Sequence, residues 1–381
     1  MTQTVDVLEK LIEFDTVSAN SNLDMIDFIE TYLTERGFQT TRLMDPNGDK
    51  AGLVAERGPA GRGIVLSGHT DVVPTTGQAW TRDAFKLTQD QGRLYGRGTT
   101  DMKGYLACML TAADRAAQYD LKEPLKLVFS YDEEIGCVGI QRMFDPLKAC
   151  IGQPRACFVG EPTEMQVAIG HKGKAALRAT FVGQNGHSAL APTFVNALHL
   201  AGDFMMELRG LQTELAENGA HDPAYDVPFS TVHIGKLSGG VALNIVPDHA
   251  EMTFEYRHLA ADPSDQILEK ISAAAARVEA TYSDQFAGAQ ILLDRYNAYP
   301  GLDVADTTEI AALAQRLAQT DTTKVAFGTE AGVFEQLGIP TVVCGPGSMA
   351  GQGHKPDEFV TAQQLAACDE MLTGVLAELA N

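Results

Sequence analysis

The sequence has no CxxC pair, and its six cysteines (Cys108, Cys137, Cys150, Cys157, Cys344 and Cys368) are scattered. In a chain of 381 residues this argues against a disulfide frame and a thiolate metal site, and for reduced, mostly buried thiols. No apolar run approaches the ~20 residues of a membrane span. Met1-Thr2-Gln3-Thr4-Val5-Asp6 lacks both a basic and an apolar stretch, so no secretory signal is read and the cytoplasm is the expected location. Basic residues are few, 29 against 50 acidic ones, for a net charge of −21. That field repels phosphate backbones and anionic lipids, so neither nucleic acid nor membrane is an expected partner. It can concentrate a cationic small molecule, and it equally describes a solvated acidic surface. Internal repeats and low-complexity segments are absent.

What is present suits a globular chain, with hydrophobic content of 45% and a length that fits two compact domains. Val7, Leu8, Leu11 and Ile12, then Ile26, Ile29 and Leu33, recur at helical spacing, as do Leu106, Met109, Leu110 and Ala113 within 105–119. Short apolar runs at 64–66, 125–129, 156–159 and 341–344 read as buried strands. Their alternation with helices predicts an α/β fold, a mostly parallel sheet flanked by helices. Between them the pattern changes. Strands at 176–182, 232–235 and 250–256 and helices at 196–211 and 264–281 predict a two-layer α+β domain. The expected division is a discontinuous main domain, 1–176 and 297–381, with 177–296 inserted. The two chain crossings, near 172–176 and 293–299, are expected to act as a hinge.

Four predicted strands run towards acidic residues or histidine. They lead to Ser67-Gly68-His69-Thr70-Asp71, Tyr131-Asp132-Glu133-Glu134, Gly160-Glu161-Pro162-Thr163 and, through a glycine-rich loop, Gly353-His354-Lys355-Pro356. Open α/β sheets carry their sites beyond the carboxyl ends of the strands, so these groups can converge. Asp101 adds a carboxylate before the 105–119 helix. Each alone is an ordinary cap or loop residue. Two imidazoles with three or four carboxylates form a zinc ligand set, and they exceed one tetrahedral site, which suits two metals sharing a carboxylate. If the segment is extended, Asp71 lies on the face of His69 and can accept from its free ring nitrogen. Neighbouring side chains on a strand diverge, so one of Glu133 and Glu134 can bind metal while the other acts as base towards activated water.

The phrases at 67–74, 96–104, 132–134, 160–163 and 353–358, in that order, resemble the M20 metallopeptidase and deacylase family over about residues 5–375. The phrases at 130–137, 170–173 and 327–332 narrow the likeness to its deacetylase branch. Tyr105 and Glu330-Ala331 stand where the desuccinylase branch usually has Gly and Ser-Asp. The resemblance implies a zinc-exopeptidase-like sheet and an inserted lid and dimerisation domain, hence a homodimer. It implies two Zn²⁺ per subunit, with Co²⁺ able to substitute: one held by His69 and Glu161, the other by Glu134 and His354, bridged by Asp101. Asp71 would support His69 and Glu133 would be the general base. His187 would stabilise the oxyanion in the partner's site. Asn244, Arg257, Lys172, Thr329 and Glu330 would contact substrate, Glu330 being the candidate for its side-chain ammonium. The expected reaction is removal of an acyl group from an N-acyl amino acid, N2-acetyl-L-ornithine on the narrower likeness. A desuccinylase, an aminoacylase, a dipeptidase or a non-catalytic metal or amino-acid binder are the alternatives.

Overall fold

The computed structural model describes residues 2–381 and divides into two compact units, Met1–His171 with Leu302–Asn381, and Lys172–Gly301.

The first unit is built on a nine-stranded mixed sheet. Its order is Gln39–Met44, Ala51–Arg57, Leu125–Ser130, Ile64–His69, Ala156–Pro162, Thr341–Gly345, Val167–His171 and Leu302–Asp303, with Thr322–Val325 also paired to Val167–His171. The central four, from Leu125–Ser130 to Thr341–Gly345, are parallel neighbours. Each is fully buried, which is why they read as short apolar runs without alternation. The Ala51–Arg57 side and the Val167–His171 side are antiparallel to this quartet. Helices Thr2–Ile12, Leu23–Thr34, Lys103–Ala116 and Ala362–Ala380 supply Leu8, Ile29, Leu106 and Leu372 to the core. A small sheet, Phe359–Thr361 with Arg93–Tyr95 and Thr88–Asp90, sets Phe359 opposite Tyr95 and so brings Arg97 and Glu358 together. Tyr105 is fully buried and lies against Gly160, where an added Cβ would come within 2.0 Å of its ring. The tyrosine that marks the subgroup is thus a packing partner of the Glu161 strand.

The second unit is two-layer α+β. Its antiparallel sheet has the order Thr231–Gly239, His249–His258, Gly173–Val182, Gln290–Tyr299. Alternate residues Ala175, Leu177, Ala179, Phe181 and Ala250, Met252, Phe254, Tyr256 face helices Ala197–Asn218 and Ser264–Tyr282. Asn196 caps the first helix by accepting from Leu198 N at 2.8 Å, the role its short polar side chain suits.

The expected crossings are corrected by this sheet. Lys174 pairs with Tyr299 and Ala175 with Ala298, so both stretches belong to paired strands, and the units part at His171/Lys172 and Gly301/Leu302. Among the described residues no helix is long and apolar enough to cross a membrane.

Candidate metal centre

The four central strands are adjacent and parallel, so their carboxyl ends open at one edge of the sheet. His69 is the last residue of its strand and Glu161 lies near the end of its own. Asp101 precedes the helix Lys103–Ala116, and His354 sits in the loop after Thr341–Gly345. Glu133 and Glu134 follow a strand that ends at Ser130. They therefore diverge in a turn, with Asp132 at φ 55°, and not along a strand as expected.

Asp101 stands between two histidines. Its Oδ1 lies 3.0 Å from His69 Nε2, and its Oδ2 lies 3.1 Å from His354 Nε2. Glu161 Oε1 is 3.6 Å from His69 Nε2, while Glu134 Oε2 is 3.0 Å from His354 Nε2. His69, Glu133 and Glu161 present ligand atoms within 4.8 Å of one another, as do His69, Asp101 and Glu134. Glu133 is therefore also within ligand reach. Its surroundings set it apart from Glu134, for its Oε1 accepts from Cys137 Sγ at 3.2 Å, whereas Glu134 faces His354.

The electrostatics follow from burial. Burial, with the charges of neighbouring carboxylates, drives Glu133 and Glu161 well above the usual carboxylate range and Glu134 to about 7. Burial alone would lower His69, but Glu161, Asp101 and Asp71 raise it well above the usual imidazole value. Hydrogen bonds to Asp101 and Glu134 raise His354 to about 10. Burial alone would raise Asp101, but the two imidazoles hold it below its ordinary value. Acids packed this closely repel one another, and a divalent cation in each half would offset that repulsion. The donors are nitrogen and oxygen with no thiolate, which fits zinc or cobalt.

Asp71 lies beside His69 and has further partners. His69 Nδ1 lies 2.9 Å from the Asp71 backbone oxygen and 3.5 Å from the carboxylate, because the strand ends at His69 and the i, i+2 rule stops with it. The carboxylate also accepts from the backbone N–H of Glu133 at 3.0 Å and of Glu134 at 3.2 Å, and from Ser18 Oγ at 2.6 Å. It holds the Glu133-Glu134 turn against the His69 strand.

Three expected substrate contacts are occupied within their own units. Lys172 is buried and donates to Val227 O at 2.8 Å and Phe229 O at 2.5 Å. Thr329 is buried, with Oγ1 3.0 Å from His171 Nε2 and accepting from Ala331 N. Glu330 is 1% exposed and takes a 2.8 Å hydrogen bond from Ser130 Oγ, with its Oε1 unpartnered. Burial lifts its carboxyl to about 7. Asn244 is exposed, and its backbone oxygen accepts from Ser188 N, beside His187, which pairs with Ile245. Arg257 is partly exposed on the face of its sheet away from the core and donates to Glu255 at 3.0 Å.

Sequence reasoning gave no role to the buried Arg97–Glu358 pair, to Ser18 or to Gln78. Glu358 Oε1 accepts from the backbone N–H of Thr100 at 2.9 Å and of Asp101 at 3.1 Å. Arg97 and Glu358 both sit inside recognisable phrases, and a charge inside a glycine-rich phrase is the signal that could have found them.

A sheet edge where two imidazoles and four buried or part-buried carboxylates converge offers donors for divalent cations, and with the family it defines a metal-dependent amide hydrolase. The chain belongs to peptidase family M20/M25/M40, whose model matches residues 65–378. It is 34% identical over 379 residues to the acetylornithine deacetylase of Myxococcus xanthus, covering 97% of this chain and 96% of that one. It is 30% identical over 359 residues to that of Pasteurella multocida (strain Pm70), covering 94% and 91%. An M20 family metallo-carboxypeptidase from Sulfolobus solfataricus shares the fold, with TM-score 0.80 and 17% identity over 100% of both chains.

Proposed function

We propose that the chain is a two-zinc deacetylase that hydrolyses N2-acetyl-L-ornithine to L-ornithine and acetate, a step in arginine biosynthesis, and works as a cytoplasmic homodimer. The observation that carries the two-metal reading is the division of Asp101, one oxygen towards His69 and the other towards His354. His69 and Glu161 would hold one zinc, His354 and Glu134 the other, with cobalt able to replace either. Zinc in these positions supplies a Lewis acid for the amide carbonyl and lowers the pKa of water to roughly 7.

The chain's own residues do the rest. Glu133 takes a proton from the attacking water and returns it to the departing amine. A carboxylate whose proton affinity is raised by burial suits a group that must both take and give. Asp71 fixes the backbone of Glu133 and Glu134, so base and ligand move as one. His187 Nδ1 accepts from Ala189 N at 3.1 Å, which leaves the ring proton on Nε2 as a donor for an oxyanion. From the family resemblance we assign that donor to the partner subunit's site. Arg257 can clasp the substrate α-carboxylate as a fork while Glu255 steadies it.

The substrate assignment rests on the two similar deacetylases and on the phrases at 130–137 and 327–332. It is tested by kcat/KM across N2-acetyl-L-ornithine, an N-succinyl diamino acid and an unblocked dipeptide. The acetyl substrate should lead. Preference for the succinyl compound or the dipeptide would overturn the substrate and keep the class. Metal binding without turnover of any amide would leave only a binding protein.

A further inference from the structure

We infer that Gln78 is a positioning residue for His354, fixing through the backbone the most exposed side chain of the candidate metal centre. The inference rests on the reading of His354 as a metal ligand. His354 has a side chain 44% exposed and a backbone φ of 59°, in the left-handed region that a residue with a Cβ occupies only when its surroundings hold it there. Asp101 and Glu134 hold its ring only at Nε2, which leaves the rest of the residue to be placed by its backbone. Its backbone is what is held.

Gln78 supplies the hold. Its Nε2 donates to the His354 backbone oxygen at 3.0 Å across 276 residues of sequence. Its Oε1 accepts from Trp80 Nε1 at 3.0 Å and from Arg97 Nη2. This pattern admits one orientation of the amide. Turned over, its NH₂ would face two N–H donors and its oxygen would face a carbonyl. The hydrogen bond to His354 is therefore dictated from the acceptor side. The same loop is joined a second time, Thr81 donating from N at 3.0 Å and from Oγ1 at 2.7 Å to the Asp357 carboxylate.

Arg97 makes the link continuous. Its guanidinium is fully buried and joins Gln78 on one arm to Glu358 on the other. Glu358 in turn holds the backbone N–H of Asp101. One planar fork thus sets the backbone of His354 and of Asp101 relative to each other. The two groups whose Nε2 and Oδ2 lie 3.1 Å apart are fixed by a common partner. Gln78 touches neither His69 nor Glu161 and reaches Asp101 only through Arg97 and Glu358, so its effect should fall chiefly on the His354 half.

The test is calorimetric titration of the metal-free chain with Zn²⁺ ion, comparing wild type with His354→Ala, Gln78→Glu and Gln78→Met. His354→Ala marks the binding step that depends on that imidazole. Gln78→Glu keeps the acceptor for Arg97 and Trp80, removes the donor to His354 and adds a negative charge, for which the neutral methionine variant is the control. Gln78→Met keeps the length and removes both. Loss of a group that orients a ligand costs about 10–100-fold in metal affinity. Both Gln78 variants should weaken the step marked by His354→Ala by that factor and any other step by clearly less. If His354→Ala alters no step, the ligand reading fails and the inference with it. If it removes a step while both Gln78 variants bind as wild type does, the ligand reading stands and the inference is overturned. Equal weakening of every step by the Gln78 variants also overturns it, since that is the mark of general damage to the loop.

Discussion

Replacing Glu133 by glutamine should lower kcat by ~10²–10⁴ while the protein keeps its metal. The side chain reaches towards the same space as the candidate ligands, yet its hydrogen-bond donor is Cys137, and its backbone N–H is held by the Asp71 carboxylate. A glutamine fills the same volume and cannot take a proton. Glu134→Gln should behave differently. It faces His354 at 3.0 Å, so its loss should deplete one metal, with the fall in activity following the metal. Metal content by elemental analysis, read beside kcat for both variants, separates the roles. If Glu133→Gln lost metal while Glu134→Gln kept metal and lost turnover, the two roles would be exchanged.

The second large effect is a recovery. Glu133→Gln and His187→Ala should each be nearly inactive alone, and mixing them under conditions of subunit exchange should restore activity. His187 presents an Nε2 donor from a two-stranded ladder shared with Ile245 in the second unit, at the neighbour of the exposed Asn244. If that donor serves the partner's site, a mixed dimer has one site with both an intact Glu133 and an intact His187. Random exchange between equal amounts of two such dimers leaves about a quarter of the sites complete. Activity should therefore approach that fraction of wild type. No recovery after proven exchange, with both parents inactive, would show that each subunit uses its own His187 or none.

His69 and Glu161 stand out because a wholly apolar strand running into a polar side chain is unusual, and the parallel quartet makes such ends neighbours. Asp71 was legible as a supporting residue, but its partners were not. The alternation rule fails where the strand stops, and the carboxylate turned to the backbone of a turn 62 residues away. Gln290–Tyr299 escaped as a strand because Asp294, Arg295 and a bulge between Arg295 and Asn297 break its period. Gln39–Met44 escaped because an edge strand of Gln, Thr, Thr and Arg carries little apolar signal. Gln78 and Ser18 carry no local signal at all. Their meaning lies in a hydrogen bond to a residue far along the chain, and no periodicity encodes that. Lys172, Thr329 and Glu330 show the converse: polar residues in recognisable phrases that folding has bound to backbone carbonyls, to His171 and to Ser130.

The central claim is that Asp101 is shared by two metals and that both are needed to deacetylate N2-acetyl-L-ornithine. The most direct test is stepwise addition of zinc to the metal-free protein, with acetate release from that substrate measured at each step. The account predicts that activity reaches its plateau only at two equivalents per chain. A plateau at one equivalent with no second binding event, or two equivalents bound with no acetate released, would contradict it.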